Sequence, residues 1–392
     1  MNYQHIKINN YILLTAICFV VYMILSIGRV LPFDSEDFTK TLLGGAIFLF
    51  LLYFSIDLKI DKRTFIFVSR FVLVGLVVVG LGSIGSINIG YALDKFNGGI
   101  LAPAAVVLLF SYSYKKFGDI NTISIFIRVA LAMLVITVVY KYYFGFFVRS
   151  TRFFLNGAIV FGWMSGLFCI ISIYMYKIQR KKNYLIISSL FAVAVIWTQS
   201  KGPLLGLLVT SIYAFMPTSN RQKYKFLIGF GLFIAIFILN FEVIKDLFSS
   251  SRFSAIFRLL SGEFRNSDDG SIGLRSELFD TAINNVRGAP IFGIGLAEFS
   301  LFNFKYPHNQ HLEIAAELGL PAFLLHLLFV LICFLCASPL YKGCILFFVI
   351  SGSFSGDISY LRFLYSFCLI GFIFRSNNTA GVMSSKGEAR KL

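Results

Sequence analysis

Apolar residues dominate the chain in long runs, broken at intervals by short polar clusters and by glycine or proline. A spanning helix needs about 20 apolar residues, so the pattern predicts an all-α polytopic membrane protein. Cutting at the breaks gives about 12 transmembrane helices, with boundaries good to two to four residues. The first six run from Tyr11 to Leu31, Thr41 to Ile56, Phe65 to Ile84, Gly99 to Tyr114, Ser124 to Phe147 and Phe153 to Tyr176. The others run from Tyr184 to Gln199, Gly202 to Met216, Phe226 to Asn240, Leu320 to Ala337, Gly343 to Gly356 and Tyr360 to Phe374. Barrel strands would instead alternate apolar and polar residues in segments of roughly ten.

Composition sharpens this picture. The 392 residues are 57% hydrophobic and 14% charged, with a mean hydropathy of +0.80. A soluble domain cannot cover that much hydrocarbon, so cytosolic enzymes, nucleases and secreted disulfide scaffolds are excluded. All six cysteines fall inside apolar runs, where Cys333 and Cys336 form a lone CxxC that reads as packing. The run from Tyr11 to Leu31 is too long for a signal peptide and lacks a small-x-small site, so it reads as an uncleaved first span.

The formal net charge of +16 is explained by where the cations sit, with no need of nucleic acid. Alternate loops carry Lys59, Lys62 and Arg63, then Lys115 and Lys116, then Lys177 and Arg180 to Lys182, then Arg221, Lys223 and Lys225. The positive-inside rule assigns these loops to the cytoplasm. The C-terminal tail shares their sign, so both termini are expected there. The domain plan is then helices 1–9 over residues 1–240, an outer loop over 241–319, helices 10–12 over 320–374 and a tail over 375–392.

The outer loop is the one connection long enough to build a site. Leu278, Ala282 and Ile283 fall at helical spacing between Leu274 and Arg287, which predicts an amphipathic helix ended by Gly288 and Pro290. A second helical segment spans about His308 to Leu318, and Gly319 and Pro321 divide it from the next span. The side where the charge rule disfavours cations carries Arg149, Arg152, Lys201, Arg252, Arg258, Arg265, Arg275, Arg287 and Arg362. Such a cluster suits an anion, since the planar arginine fork donates two parallel charge-assisted hydrogen bonds to phosphate. On a helical wheel His308 and His311 share a face while Glu313 and Glu317 point elsewhere, and no further ligand is spaced for a metal. A histidine serving as a base near the membrane surface is the better functional reading. His326 reads as a packed, hydrogen-bonded residue, and Arg70 and Arg128 as snorkelling cations.

The segments GLRSELFDTAINNVRGAPIFGIGLAEF and PHNQHLEIAAELGLPAF resemble the long outer loop of the bacterial O-antigen polymerase and O-antigen ligase superfamily. There an arginine-led helix precedes a Pro-x-x-Gly-x-Gly turn, and a His-Asn-x-x-Leu…Glu-x-Gly motif leads into the next span. TQSKGPLLG, RSTRFFLNG and SGDISYLRF resemble further elements of that family. Two positions depart from it: Lys201 stands where arginine is expected, and Ala322 follows the leucine-proline step where glycine is frequent.

The resemblance implies a GT-C-like, metal-independent inverting glycosyltransferase without cofactor. It would sit in the inner membrane with its large periplasmic loop between spans 9 and 10. Its donor would be an undecaprenyl-pyrophosphate-linked oligosaccharide and its setting the lipid bilayer, with room for a chain-length regulator as a partner. Polymerase, with a second lipid-linked repeat as acceptor, ranks ahead of ligase, with lipid A core as acceptor. A transporter or flippase ranks last, because ionisable residues are scarce at mid-span. Carried over by residue, His308 is the base, Arg275 and Arg152 clamp pyrophosphate, and Lys201 is a third cation. Arg149, Asn309, His311, Arg287 and Arg362 fall on the substrate side, and Asn309 and Glu317, with Gly319, shape the histidine-bearing helix.

Overall fold

A computed structural model describes residues 8–26, 61–82, 89–148, 153–216, 270–303 and 306–375. Regular structure among them is helical, apart from an isolated bridge between Phe153 and Asn156. The helices are α1 (Ile8–Ser26), α2 (Lys62–Gly82), α3 (Ile89–Phe96), α4 (Ala102–Phe117), α5 (Asp119–Phe144), α6 (Ala158–Gln179) and α7 (Asn183–Trp197). They continue with α8 (Lys201–Phe215), α9 (Gly270–Gly288), α10 (Glu298–Asn303), α11 (Gln310–Cys336), α12 (Pro339–Phe354) and α13 (Leu361–Ile373). A π-helical turn, Asn97–Leu101, joins α3 to α4, and a 3₁₀ turn, Ile358–Tyr360, leads into α13.

The expectation of about 12 transmembrane helices is overturned. Five helical stretches of the described residues are long and apolar enough to cross a membrane: Lys62–Gly82, Gly90–Phe117, Asp119–Phe144, Ala158–Gln179 and Gln310–Cys336. The apolar runs assigned to other spans fold into shorter helices, such as Asn183–Trp197 and Lys201–Phe215 at 15 residues each. At 1.5 Å per residue these are roughly 22 Å long against a hydrocarbon core of about 30 Å. These helices end within two residues of the apolar runs that predicted them, so the runs themselves were already too short for a span. The expected spans Thr41 to Ile56 and Phe226 to Asn240 lie outside the described residues, as do residues 241–269 of the outer loop. The chain is a polytopic membrane protein all the same.

Helix α6 forms the axis of the core, with buried residues along almost its whole length. Glycine lets its neighbours approach closely: a Cβ on Gly166 would lie 2.3 Å from the ring of Phe347 in α12, and one on Gly162 would lie 2.9 Å from Pro203 in α8. Small residues at helix crossings substitute backbone contact for side-chain interdigitation, the usual route to tight packing in lipid. Aromatic rings fill the space beyond, with Trp163 edge-on to Tyr360 and Phe363, and Phe348 stacked on Phe363 and Phe367.

Helix α9 contains the stretch read as amphipathic. Leu278 and Ala282, one turn apart, bury against Phe299 and Ala316, so its apolar stripe docks on α10 and α11.

Candidate active site

Helix α11 begins with a cap that the sequence encodes directly. Asn309 has extended backbone angles, and its side-chain oxygen accepts hydrogen bonds from the amides of His311 and Leu312, both at 3.0 Å. His308 precedes this cap with φ +57, in the left-handed region that histidine enters more readily than most side chains. It therefore stands outside the helix, and the wheel that put His308 and His311 on one face does not apply. The His308 ring rests against Tyr306, with centroids 4.3 Å apart.

Nine residues on, the helix breaks at Gly319, with φ +82. The break frees carbonyls, and the Pro-x-x-Gly-x-Gly turn takes them. Ile294 donates to the Ala316 carbonyl at 2.9 Å, Gly295 donates to that of Glu317 at 3.1 Å, and Leu320 returns a bond to the Pro290 carbonyl at 2.8 Å. A Cβ on Gly319 would sit 2.1 Å from the Ile291 oxygen, and one on Gly293 would sit 2.3 Å from the Glu317 carbonyl. The two glycine motifs are thus halves of one joint, separated in sequence and pressed together backbone to backbone.

Below the cap lies a charge cluster that the sequence did not reveal. Lys95 donates from Nζ to Glu313 at 2.5 Å and to both oxygens of Glu317 at 2.6 and 2.8 Å. All three are buried. The Ala297 amide donates to Glu317 at 2.9 Å, so the motif glutamate ties α3, the glycine turn and α11 together. The two carboxylates lie four residues apart, on one helix face, and the single lysine comes from 218 residues away. Their i, i+4 spacing in an apolar helix was the readable signal, since a buried carboxylate requires a cation.

Arg362 is only 2% exposed. It donates from Nε to the Leu25 carbonyl at 2.9 Å and lies over the Tyr360 ring at 4.7 Å. Asp357 turns its carboxylate to the amide and hydroxyl of Ser359, capping the 3₁₀ turn. Arg275 lies close enough to Tyr306 for the two to influence each other. Burial pushes the Arg275 guanidinium pKa down and neighbouring Tyr306 offsets part of this, while burial raises the Tyr306 phenol. The structure thus gathers Arg275, Tyr306, His308, Asn309, Glu317 and Arg362 at one end of the bundle.

Lys201 opens α8 at this same end, where Ser351 Oγ donates to the Gly202 carbonyl and Gly352 and Gly356 approach Gln310. Arg287 is exposed in the last turn of α9. Arg149 and Arg152 lie outside the described residues, and so do Arg252, Arg258 and Arg265. His311 turns inward. Its Nε2 lies 3.1 Å from the Val349 carbonyl, its Nδ1 lies 2.9 Å from His326 Nε2, and His326 Nδ1 lies 2.7 Å from the Tyr365 hydroxyl. Because a carbonyl only accepts, one proton order satisfies every atom. Tyr365 donates to His326, His326 to His311, and His311 to Val349. Both rings are neutral in that chain, which stitches α11 to α12 and α13 and accords with His326 as a packed, hydrogen-bonded residue.

The arrangement offers an imidazole at the rim, a half-buried and a buried arginine at the same end and a rigid joint in the helix that carries the imidazole, within a polytopic helical membrane protein. Residues 185–327 match the O-antigen ligase family, a stretch that contains Lys201, Arg275, His308, Asn309, Glu317 and Gly319. The match supports a role in O-antigen-related glycan transfer and, in general terms, glycosyltransferase or ligase activity. No protein of curated function matches the chain.

Proposed function

We propose that the protein is an O-antigen ligase, moving a glycan from undecaprenyl pyrophosphate to a hydroxyl of lipid A core at the periplasmic face, with both termini cytoplasmic. The supporting observation is that the matched region coincides with the His308 and Asn309 cap and the Gly293 and Gly319 joint. The description of that family moves ligase ahead of polymerase, the reverse of the order read from the sequence.

In this reading the acceptor oxygen attacks the anomeric carbon from the face opposite the pyrophosphate, and the bond from that carbon to the leaving oxygen breaks with inversion. His308 takes the acceptor proton, because a sugar hydroxyl is too weak an acid to attack unaided. The electron pair leaves on undecaprenyl pyrophosphate, and Arg275, with Lys201, meets the charge that develops there. Asn309 fixes where the histidine stands, and His311 acts through packing.

Lipopolysaccharide from a deletion strain tests the assignment. Bare core together with accumulated lipid-linked polymer is expected. Core bearing a single repeat would reassign the protein to polymerisation.

A further inference from the structure

We propose that a cleft at the end of the bundle opposite His308 binds the anionic headgroup of a glycerophospholipid. The cleft has a volume of about 1430 Å³ and lies between the start of α2, the ends of α4, α6 and α13, and the start of α12. Helices α2 and α11 run from one end of the molecule to the other. Gly82 at the far end of α2 meets Leu296 of the glycine turn, and Cys336 at the far end of α11 touches Arg375.

Five cations line the cleft: Arg63, Arg70, Lys115, Lys177 and Arg375. Two carboxylates share it, and both are occupied with helix starts. Asp61 accepts from the amide and hydroxyl of Thr64, and Asp119 accepts from the amide of Ile120. Among the described residues, neither forms an ion pair with the five cations. Lys177 donates to the Ala214 carbonyl, and among the described residues the cations still outnumber the carboxylates of this concave surface by five to two.

Arg70 makes the strongest case. It lies two turns beyond Arg63 on the same face of α2, roughly 10 Å deeper along the helix, and is exposed into the cleft. An arginine at that depth in a spanning helix is costly unless an anion or water reaches it. The walls beside it are apolar, from Ile66, Phe67, Ile178 and Ile373. Cations at graded depth between apolar walls match a molecule whose phosphate and acyl chains enter together, and basic pockets between membrane helices bind anionic headgroups on these terms. A free phosphate would use the cations and leave the apolar walls wet.

The test uses the full chain in nanodiscs of phosphatidylethanolamine with a minor fraction of phosphatidylglycerol, with co-purified lipid read by native mass spectrometry. Wild-type protein should retain phosphatidylglycerol in preference. Arg63→Gln/Arg70→Gln/Lys115→Gln should lose that preference by on the order of a hundredfold, three surface cations being removed together. Arg128→Gln, an exposed cation away from the cleft that bonds Tyr11, should retain it. If the triple variant does not insert, Arg70→Gln alone is read in the same way. Unchanged retention in the cleft variants overturns the proposal, as does equal loss in Arg128→Gln or displacement of the lipid by inorganic phosphate.

Discussion

At the His308 end, charge is buried and partnered: Lys95 lies between Glu313 and Glu317, and Arg362 holds a main-chain carbonyl. At the opposite end, Arg63, Arg70, Lys115 and Arg375 are exposed around an open cleft whose acids accept from amides at helix starts. One protein thus uses charge in two ways. Taking an ion out of water costs several kcal/mol, so a buried ion persists only where the fold supplies a counter-ion, as for Lys95, or hydrogen-bond acceptors, as for Arg362. An exposed cation has no such debt and is available to whatever anion arrives. Substitutions at the first end should therefore damage fold or chemistry, while those at the second should change only what is bound.

The largest effect is expected from His308→Ala. A general base contributes about 10² to 10⁴ in rate, so ligated lipopolysaccharide should fall by that factor in cells with normal amounts of inserted protein. Normal ligation would remove His308 from the chemistry and leave the buried end purely structural.

Lys95→Met comes next. It strands two carboxylates in the core, and removing one partner of a buried pair costs about 3 to 5 kcal/mol. Thermal unfolding in detergent should show a lower midpoint, and Lys95→Met/Glu313→Gln/Glu317→Gln should recover much of the loss, because no unpaired charge then remains. A single variant as stable as wild type would mean that water or another cation reaches the cluster, which would erase the contrast between the two ends.

The smallest effect is expected from Tyr365→Phe. The change deletes the donor at the head of the histidine chain and leaves His326 Nδ1 unsatisfied, for a loss of about 1 to 3 kcal/mol. The same unfolding assay reads it, and ligation per folded molecule should be unchanged. A loss of ligation without loss of stability would give the chain of rings a part in proton movement.

How much of this was legible in the sequence depended on the range of the interaction. The break at Gly319 before Pro321 and the helix ending at Gly288 follow from neighbours a few residues apart and were readable. The Asn309 cap, equally local, came only through the family resemblance, because the helix was begun at His308. The span count was not readable, because an apolar run of about 15 residues marks a segment out of water without being long enough to cross the bilayer. Lys95 was hidden for a different reason: its partners are 218 and 222 residues away. His308 was misplaced on the wheel because the helix was extended one residue past the cap, onto a histidine whose backbone turns left-handed.

The joint between Gly293 and Gly319 also sets what variation the segment tolerates. Both positions are closed to any residue with a side chain, since each Cβ would land on a carbonyl. Between the proline and the first of these glycines, Ile291 and Phe292 contribute to the joint only through their backbone, and their side chains are 61% and 64% exposed. Exchange there should leave the joint intact. A library that holds the glycines fixed and randomises these two positions would vary the exposed tip of the turn while keeping its scaffold.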